Sequence, residues 1–186
     1  TAFLLKKENT YYLRWFTPEV EIDLCGHATL ATAFVVMNYV EPGLMNLDFE
    51  TQSGKLSVER ANDWYTMNFP ARMPVETKIN PLLEEALGCR VLETYLSRDL
   101  LVLAESEKVV ENLQVNSNKL ADISKDIAFA VIVTAKGTSC DFVSRFFAPN
   151  AGVSEDPVTG SAHSTLIPFW SRRLGKNSMT AKQLSP

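Results

Sequence analysis

The chain has 186 residues, of which 46% are hydrophobic, enough to build a core in one large domain or two small ones. Its formal net charge is −4, and lysines and arginines are scattered, which excludes the basic face that nucleic-acid binding requires. The longest apolar runs, at 31–37 and 128–133, are too short to span a bilayer. We therefore expect neither a nucleic-acid nor a membrane partner.

Cysteine usage points to a reducing compartment. Cys25, Cys89 and Cys140 are odd in number and widely spaced, and they form no C-x-x-C pair. This pattern predicts neither a disulfide scaffold nor a zinc site, and it favours a cytoplasmic location.

In the first half of the chain, alternating apolar residues predict strands and one dense apolar stretch predicts a helix. The strands are expected at 11–16, 19–24, 47–52, 55–60 and 64–69, with a turn at Thr17-Pro18 between the first two. Residues 26–40 begin at a glycine and are apolar almost all round, which predicts a buried helix. Pro70 and Pro74 bracket a connector, so the predicted domains are residues 1–73 and 74–186.

The second half repeats this arrangement. Helices are expected at 81–87, within 107–113, near 118–123 and at 160–174, and strands at 91–97, 100–103, 128–134 and 142–147. Each half thus contains strands followed by an apolar helix that opens with glycine. This pattern predicts a mixed α+β protein with a duplicated architecture.

The first candidate site joins a strand to a helix at Cys25-Gly26-His27. The first amide groups of a helix have no intrahelical acceptor, so they point outwards and can bind an anion. His27 in this turn can donate or accept a proton. The alternative interpretation is structural, with Cys25 as a small buried residue and His27 as a capping or packing residue.

The second candidate site lies late in the chain, around Glu155-Asp156-Pro157. Pro157 favours an extended Asp156, and neighbours in an extended chain project to opposite sides, so only one carboxylate can enter a pocket. Gly160 and Ser161 then begin a helix whose free amides lie beside a hydroxyl. The loop lacks a phosphate-binding pattern, and an acid near a helix start fits proton transfer better. A surface acidic turn with an ordinary helix cap is the alternative.

Both loops resemble signatures of a known family. Residues 24–31, Leu-Cys-Gly-His-Ala-Thr-Leu-Ala, are similar to the first signature of the phenazine-biosynthesis isomerase-like family, and residues 155–163 are similar to the second. The resemblance implies a fold like that of diaminopimelate epimerase. In this fold two similar α+β domains each place a β-barrel-like sheet around a central helix, and the active site lies in the cleft between the domains.

The resemblance also implies a reaction and roles for residues. The characterised biosynthetic member shifts a proton along an allylic system of a small carboxylate, and family members use no metal or organic cofactor and typically form homodimers. We therefore expect a small carboxylate substrate, no cofactor and a homodimer. The motif positions imply catalytic roles for His27, Asp156 and Ser161, and substrate binding by Cys25, Gly26, Thr159 and Gly160.

The chain departs from the family pattern in two ways. The family's acid–base glutamate would directly precede Thr1, and family chains continue past Pro186, so we expect a longer parent protein and little activity from this stretch alone. Epimerases and proline racemases of the related fold use two cysteines. Cys25 occupies a position similar to the first, but the second position resembles Thr159. One thiol cannot carry out a symmetric two-base inversion, which favours a proton shift on one face.

Other functions stay open. An epimerase or racemase of amino or hydroxy acids is the nearest alternative, and a non-catalytic family member that acts as a binding protein is another. A hydrolase is more distant, because Cys25 and His27 are expected to point in different directions and no G-x-S-x-G elbow is present. If the isomerase hypothesis holds, the two loops should lie close together.

Overall fold

The computed structural model describes residues 1–17 and 20–186. The described chain divides into two compact units, Thr1–Pro70 and Ala71–Pro186, which we call the N-terminal and the C-terminal unit. Each combines a β-sheet with helices, so the prediction of a mixed α+β protein is confirmed. The predicted turn at Thr17-Pro18 and the predicted strand start at Glu19 involve residues outside the described ranges.

Alternating apolar residues build the sheet of the N-terminal unit. Tyr11, Leu13 and Trp15 face the core, whereas the residues between them are exposed. The strands pair in the order β1-β2-β4-β5-β6, with β3 on β2, and β2 runs parallel to β4. These strands are β1 (Ala2–Lys7), β2 (Thr10–Phe16), β3 (Glu21–Ile22), β4 (Asn46–Thr51), β5 (Gly54–Ala61) and β6 (Trp64–Asn68).

The helix of the N-terminal unit is exposed on one side, so the prediction of a buried helix over residues 26–40 is wrong for that side. The helix α1 (Gly26–Val35) continues as a π-helical turn over Val36–Val40. The exposed fraction is 44% for Phe34 and 73% for Tyr39. The buried residues of the helix recur at helical spacing, which places them on one side. The sheet therefore covers only that side of the helix. The buried residues are Gly26, Thr29, Ala33, Val36 and Met37.

The sheet of the C-terminal unit is buried on both faces. Along one strand, Leu100 and Val102 contribute to one apolar cluster, while Leu101 and Leu103 contribute to the other. The strands pair in the order β12-β11-β10-β9-β8-β7, with β13 beside β11. They are β7 (Val75–Thr77), β8 (Glu93–Leu96), β9 (Leu100–Leu103), β10 (Val131–Lys136), β11 (Phe142–Ala148), β12 (Val153–Asp156) and β13 (Ala181–Gln183). The strand predicted at 128–134 lies at Val131–Lys136, so it begins three residues later and ends two residues later than predicted.

Helices cover both faces of this sheet. Leu83, Val110 and Leu120 pack on one face, and Leu166 and Trp170 pack on the other. The first three belong to α2 (Leu82–Leu87), α3 (Glu107–Glu111) and α4 (Ser117–Ser124), and the last two belong to α5 (His163–Leu174). None of the helices in residues 1–17 and 20–186 is long and apolar enough to cross a membrane.

The helix α5 contains a proline whose missing hydrogen bond is replaced. Pro168 has no backbone N–H, so the carbonyl of Ser164, four residues earlier, loses its helical donor. The backbone N–H of Arg72 donates to that carbonyl instead, at 2.7 Å. The carbonyl that faces the proline therefore has a hydrogen-bond donor. The predicted helical segment at 160–174 is confirmed, and its first turn, Gly160–Ala162, is a 3₁₀ helix.

Candidate functional site

The first loop presents the start of α1, as the sequence predicts. Cys25 is the N-cap residue, with extended backbone, and Gly26 is the first helical residue. The carbonyl of Cys25 accepts hydrogen bonds from the Thr29 backbone N–H at 3.2 Å and the Thr29 hydroxyl at 2.6 Å. Gly26 is buried and His27 is exposed. The helix start is thus held by its own backbone, while the imidazole faces solvent.

The thiol of Cys25 contacts the imidazole of His27. Its Sγ lies 3.8 Å from both Nδ1 and Nε2 of the ring. The expectation that these side chains point in different directions is wrong, because Cys25 precedes the helix in extended conformation and does not follow helical spacing. A thiol is a weak donor, and equal distances to two nitrogens align it with neither. The pair is therefore in contact without the geometry of an aligned nucleophile and base.

In the second loop, the two neighbouring carboxylates serve different purposes. Glu155 forms a bidentate ion pair with Arg145, and both N···O distances are 2.7 Å. Asp156, at the end of β12, makes its contacts with the loop that follows it. The two carboxylates thus have separate partners. That only Asp156 of the pair enters a shared pocket stays a prediction.

The carboxylate of Asp156 is oriented by its own loop. The hydroxyl of Thr159 donates to Oδ2 at 2.7 Å, and the backbone N–H of Val158 approaches Oδ1 at 3.4 Å. A hydrogen bond to an ionised acceptor is about twice as strong as one between neutral groups. Asp156 is therefore held in one orientation before any ligand binds.

Gln183 on β13 is hydrogen-bonded to this loop. The sequence did not predict it as a site residue. Its Oε1 accepts from the backbone N–H of Thr159 at 2.7 Å, and its Nε2 donates to the carbonyl of Asp156 and to Oγ1 of Thr159, the latter at 3.2 Å. The contact joins residues 24 positions apart through the pairing of β13 with β11. No local sequence signal marks such a residue.

Ser161 lies in the 3₁₀ turn before α5 and is only 7% exposed. Its Oγ accepts a hydrogen bond of 3.4 Å from Nη2 of Arg98. Arg98 was also missed, because it lies 63 residues away in the loop between β8 and β9. The hydroxyl is thus sheltered in the fold and contacted by a cation.

The predicted site residues form two groups. Asp156, Thr159, Gly160 and Ser161 meet at the start of the helical segment in the C-terminal unit. Cys25, Gly26 and His27 meet at the start of α1 in the N-terminal unit. That the two groups share one cleft stays a prediction. Within the described ranges, no three or more His, Cys, Asp or Glu side chains are arranged to hold a metal ion.

Comparison with known proteins identifies the family. A family profile described as phenazine biosynthesis-like protein matches residues 1–185. The chain belongs to this family. A relative in Pseudomonas aeruginosa, named an uncharacterized isomerase, is 46% identical over 183 residues, which cover 98% of this chain and 70% of that protein. The predicted resemblance is confirmed, and the relative's name supports an isomerase in general.

Solved structures confirm the fold. The crystal structure of a phenazine biosynthesis protein from Enterococcus faecalis matches with a TM-score of 0.88 and 47% identity, covering all of this chain and 70% of that one. A probable proline racemase from Agrobacterium radiobacter matches with a TM-score of 0.68 and 9% identity, covering 98% of this chain and 64% of that one. The second likeness concerns the fold alone. The prediction of an epimerase-like fold is confirmed.

Proposed function

We propose that the full-length protein is a cofactor-independent isomerase that shifts a proton within a small carboxylate substrate. The observation that carries this proposal is the carboxylate of Asp156, held by the Thr159 hydroxyl beside the helix start that bears Ser161. Membership of the phenazine biosynthesis-like family and a relative named as an isomerase support the reaction class.

The substrate carboxylate binds at the start of the helical segment 160–174. Backbone amides in the first turn of a helix have no intrahelical acceptor and favour anions. Gly160 has no side chain to obstruct the approach, and the Ser161 hydroxyl adds a donor. Asp156, on the neighbouring loop, faces the polar part of the substrate rather than its carboxylate, since two anions would repel each other.

The proton shift takes place on one face of the substrate. A base removes a proton from one carbon, the electron pair of that C–H bond moves through the allylic system, and a proton returns at another carbon. Atoms and electrons balance without an oxidant or reductant. By the family resemblance, we assign to Asp156 and His27 the adjustment of the protonation and position of the substrate.

A second candidate is an epimerase or racemase that uses Cys25 as its base. The contact of the Cys25 thiol with the His27 imidazole supports it, because an adjacent histidine can activate a thiol. Thr159 counts against it, since its hydroxyl already donates to Asp156 and a symmetric inversion needs a second acid on the opposite face.

Solvent deuterium uptake distinguishes the candidates. A screen of small cyclic and amino carboxylates against the full-length protein supplies the substrate, and exchange is then measured by mass spectrometry. Positioned acid–base groups contribute about 10²–10⁴-fold in rate, so Asp156→Asn should lose about that factor. Cys25→Ser should retain most of the exchange. The exposed Asp126 provides the matched control, Asp126→Asn, which should match the unmodified protein.

Each other result has a clear meaning. If Cys25→Ser abolishes exchange while Asp156→Asn retains it, the chemistry is thiol-based and the epimerase candidate replaces the isomerase. If the unmodified protein binds carboxylates but exchanges no deuterium into any of them, it is a binding protein that keeps the fold.

A further inference from the structure

Arg98 lies in the tight loop between β8 and β9, and we propose that it positions the Ser161 hydroxyl to donate to a bound carboxylate. The inference rests on the proposed function, in which Ser161 binds the substrate carboxylate. Arg98 lies outside both signature motifs, and the contacts of Arg98 and Ser161 support this role.

The guanidinium of Arg98 is held from two sides. Its Nε and Nη2 donate to the two carboxylate oxygens of Asp99 at 2.9 and 2.8 Å, and its central carbon lies 4.9 Å from the centre of the Phe129 ring. The side chain of Asp99 is 1% exposed and that of Arg98 is 14% exposed. A buried charge needs a well-placed partner, and this pair supplies one for each group. The position of the guanidinium is thus fixed by the fold.

The loop that carries Arg98 is also tied to the helix that follows Ser161. The hydroxyls of Ser97 and Thr165 are hydrogen-bonded at 3.0 Å, and Thr165 is fully buried in α5. On the other side, the backbone N–H of Phe129 donates to the carbonyl of Arg98 at 3.0 Å. Arg98 and Ser161 therefore lie on two segments that are joined by a hydrogen bond.

The chemistry of the two groups sets the direction of the hydrogen bond. A guanidinium has donors and no acceptor, so the Ser161 oxygen must accept the bond from Arg98. The serine then keeps its own hydrogen, for which no acceptor lies in place within residues 1–17 and 20–186. A hydroxyl whose oxygen accepts from a cation is polarised towards donation. The Ser161 hydrogen is thus available to a ligand, and a carboxylate oxygen is a strong acceptor.

Asp99 has a matching role. It neutralises Arg98, so the guanidinium does not itself bind the substrate carboxylate as a direct ion pair. Arg98 acts through Ser161 and is a positioning residue. Its effect on binding should therefore disappear when the serine hydroxyl is removed, whereas a purely structural effect should not.

The test is a double-mutant cycle with acetate as the probe. Binding to the full-length protein is followed by NMR through the backbone amides of Gly160 and Ser161. A hydrogen bond to a charged group is worth about 1.5–3 kcal/mol, so Ser161→Ala should weaken binding about tenfold or more. The paired variant Arg98→Met/Asp99→Asn removes both charges together and should weaken binding by a similar factor. Adding Ser161→Ala to that pair should weaken it no further.

Two further variants guard against a change in folding. Arg173→Met/Glu93→Gln removes another bidentate ion pair of the C-terminal unit and should leave acetate binding unchanged. Arg98→Lys keeps the positive charge beside Asp99 but loses the planar guanidinium, whose several N–H groups donate to Asp99 and Ser161 together. It should weaken acetate binding only when Ser161 is present. This variant carries the test if the paired variant does not fold.

Three results would overturn the inference. They are additive losses in the cycle, unchanged binding in the Arg98 variants, and no acetate response at Gly160 and Ser161 in the unmodified protein. The proposed function is judged separately by deuterium exchange. Exchange that depends on Asp156, together with additive losses in the cycle, would retain the isomerase and reject the role of Arg98.

Discussion

The hydroxyl of Thr159 donates a hydrogen bond of 2.7 Å to Oδ2 of Asp156. Gln183 donates to the same hydroxyl oxygen at 3.2 Å, which leaves the hydroxyl hydrogen directed at the carboxylate. By resemblance, Thr159 occupies the position of the second thiol in the related epimerases and racemases. A hydroxyl that is bonded to a neighbouring carboxylate orients that carboxylate, and this supports a role in positioning rather than in proton transfer.

Replacing Thr159 should therefore affect turnover through Asp156. Thr159→Val keeps the shape but removes the hydroxyl, and we expect about a tenfold loss of deuterium exchange, since a hydrogen bond to a charged group is worth about 1.5–3 kcal/mol. Thr159→Ser keeps the hydroxyl and is the matched control, with most exchange retained. Equal exchange in the two variants would show that this hydrogen bond does not matter for the reaction.

Local signals in the sequence predicted the parts of the site that depend on local structure. The helix starts at Gly26 and Gly160 follow from a glycine before an apolar run, and the opposite directions of Glu155 and Asp156 follow from extended backbone. Both are properties of a few consecutive residues. The family motifs then indicated which of these positions form the candidate site.

Long-range contacts could not be predicted in this way. Gln183 and Arg98 reach the second loop from 24 and 63 residues away, and their partners are fixed by sheet pairing and loop position. The burial of residues 26–40 was also misjudged, because an apolar composition does not reveal how many sides of a helix the sheet covers. Phe34 and Tyr39 are apolar and yet exposed.

Arg145 should matter for stability more than for chemistry. It is 8% exposed, pairs with Glu155, and approaches the carbonyls of Val110 and Leu113 at 3.3 Å. Arg145→Met leaves a carboxylate without its partner, and breaking a buried pair typically lowers the free energy of unfolding by about 3–5 kcal/mol. Urea denaturation measures this loss.

An exposed pair provides the control for Arg145. Arg90 and Glu105 are bridged at 3.1 Å, but their side chains are 71% and 45% exposed. Arg90→Met should therefore change the free energy of unfolding by about 1 kcal/mol or less. A loss in Arg145→Met no larger than this would contradict the structural role of the buried pair.

Cys89 should react slowly with thiol reagents. Burial raises the pKa of its thiol, and the nearby carboxylates of Glu84 and Glu105 raise this pKa further. Since the thiolate is the reactive form, alkylation at neutral pH should be slower in the folded protein than in the chain unfolded by urea. Mass spectrometry of the modified peptide over a rising pH series measures the shift. A midpoint equal to that of the unfolded chain would refute the prediction.

The stability supplied by Glu93 should depend on pH. Arg173 donates to both its carboxylate oxygens, at 2.7 and 2.6 Å, and together with the Tyr95 hydroxyl it lowers the pKa of Glu93. A carboxyl whose pKa is lower in the folded state stabilises the fold above its unfolded pKa. This contribution is lost as the pH falls through the folded pKa.

Glu93→Gln should therefore be less stable than the unmodified protein at neutral pH and approach it in acid. Both side chains are about a third exposed, so the difference at neutral pH should be about 1 kcal/mol or less, because solvent screens the pair. Urea denaturation at several pH values measures it. In an Arg173→Met background the same substitution should lose most of its pH dependence, since the cation that lowers the pKa of Glu93 is gone. A difference that persists unchanged in that background would mean that another group is responsible.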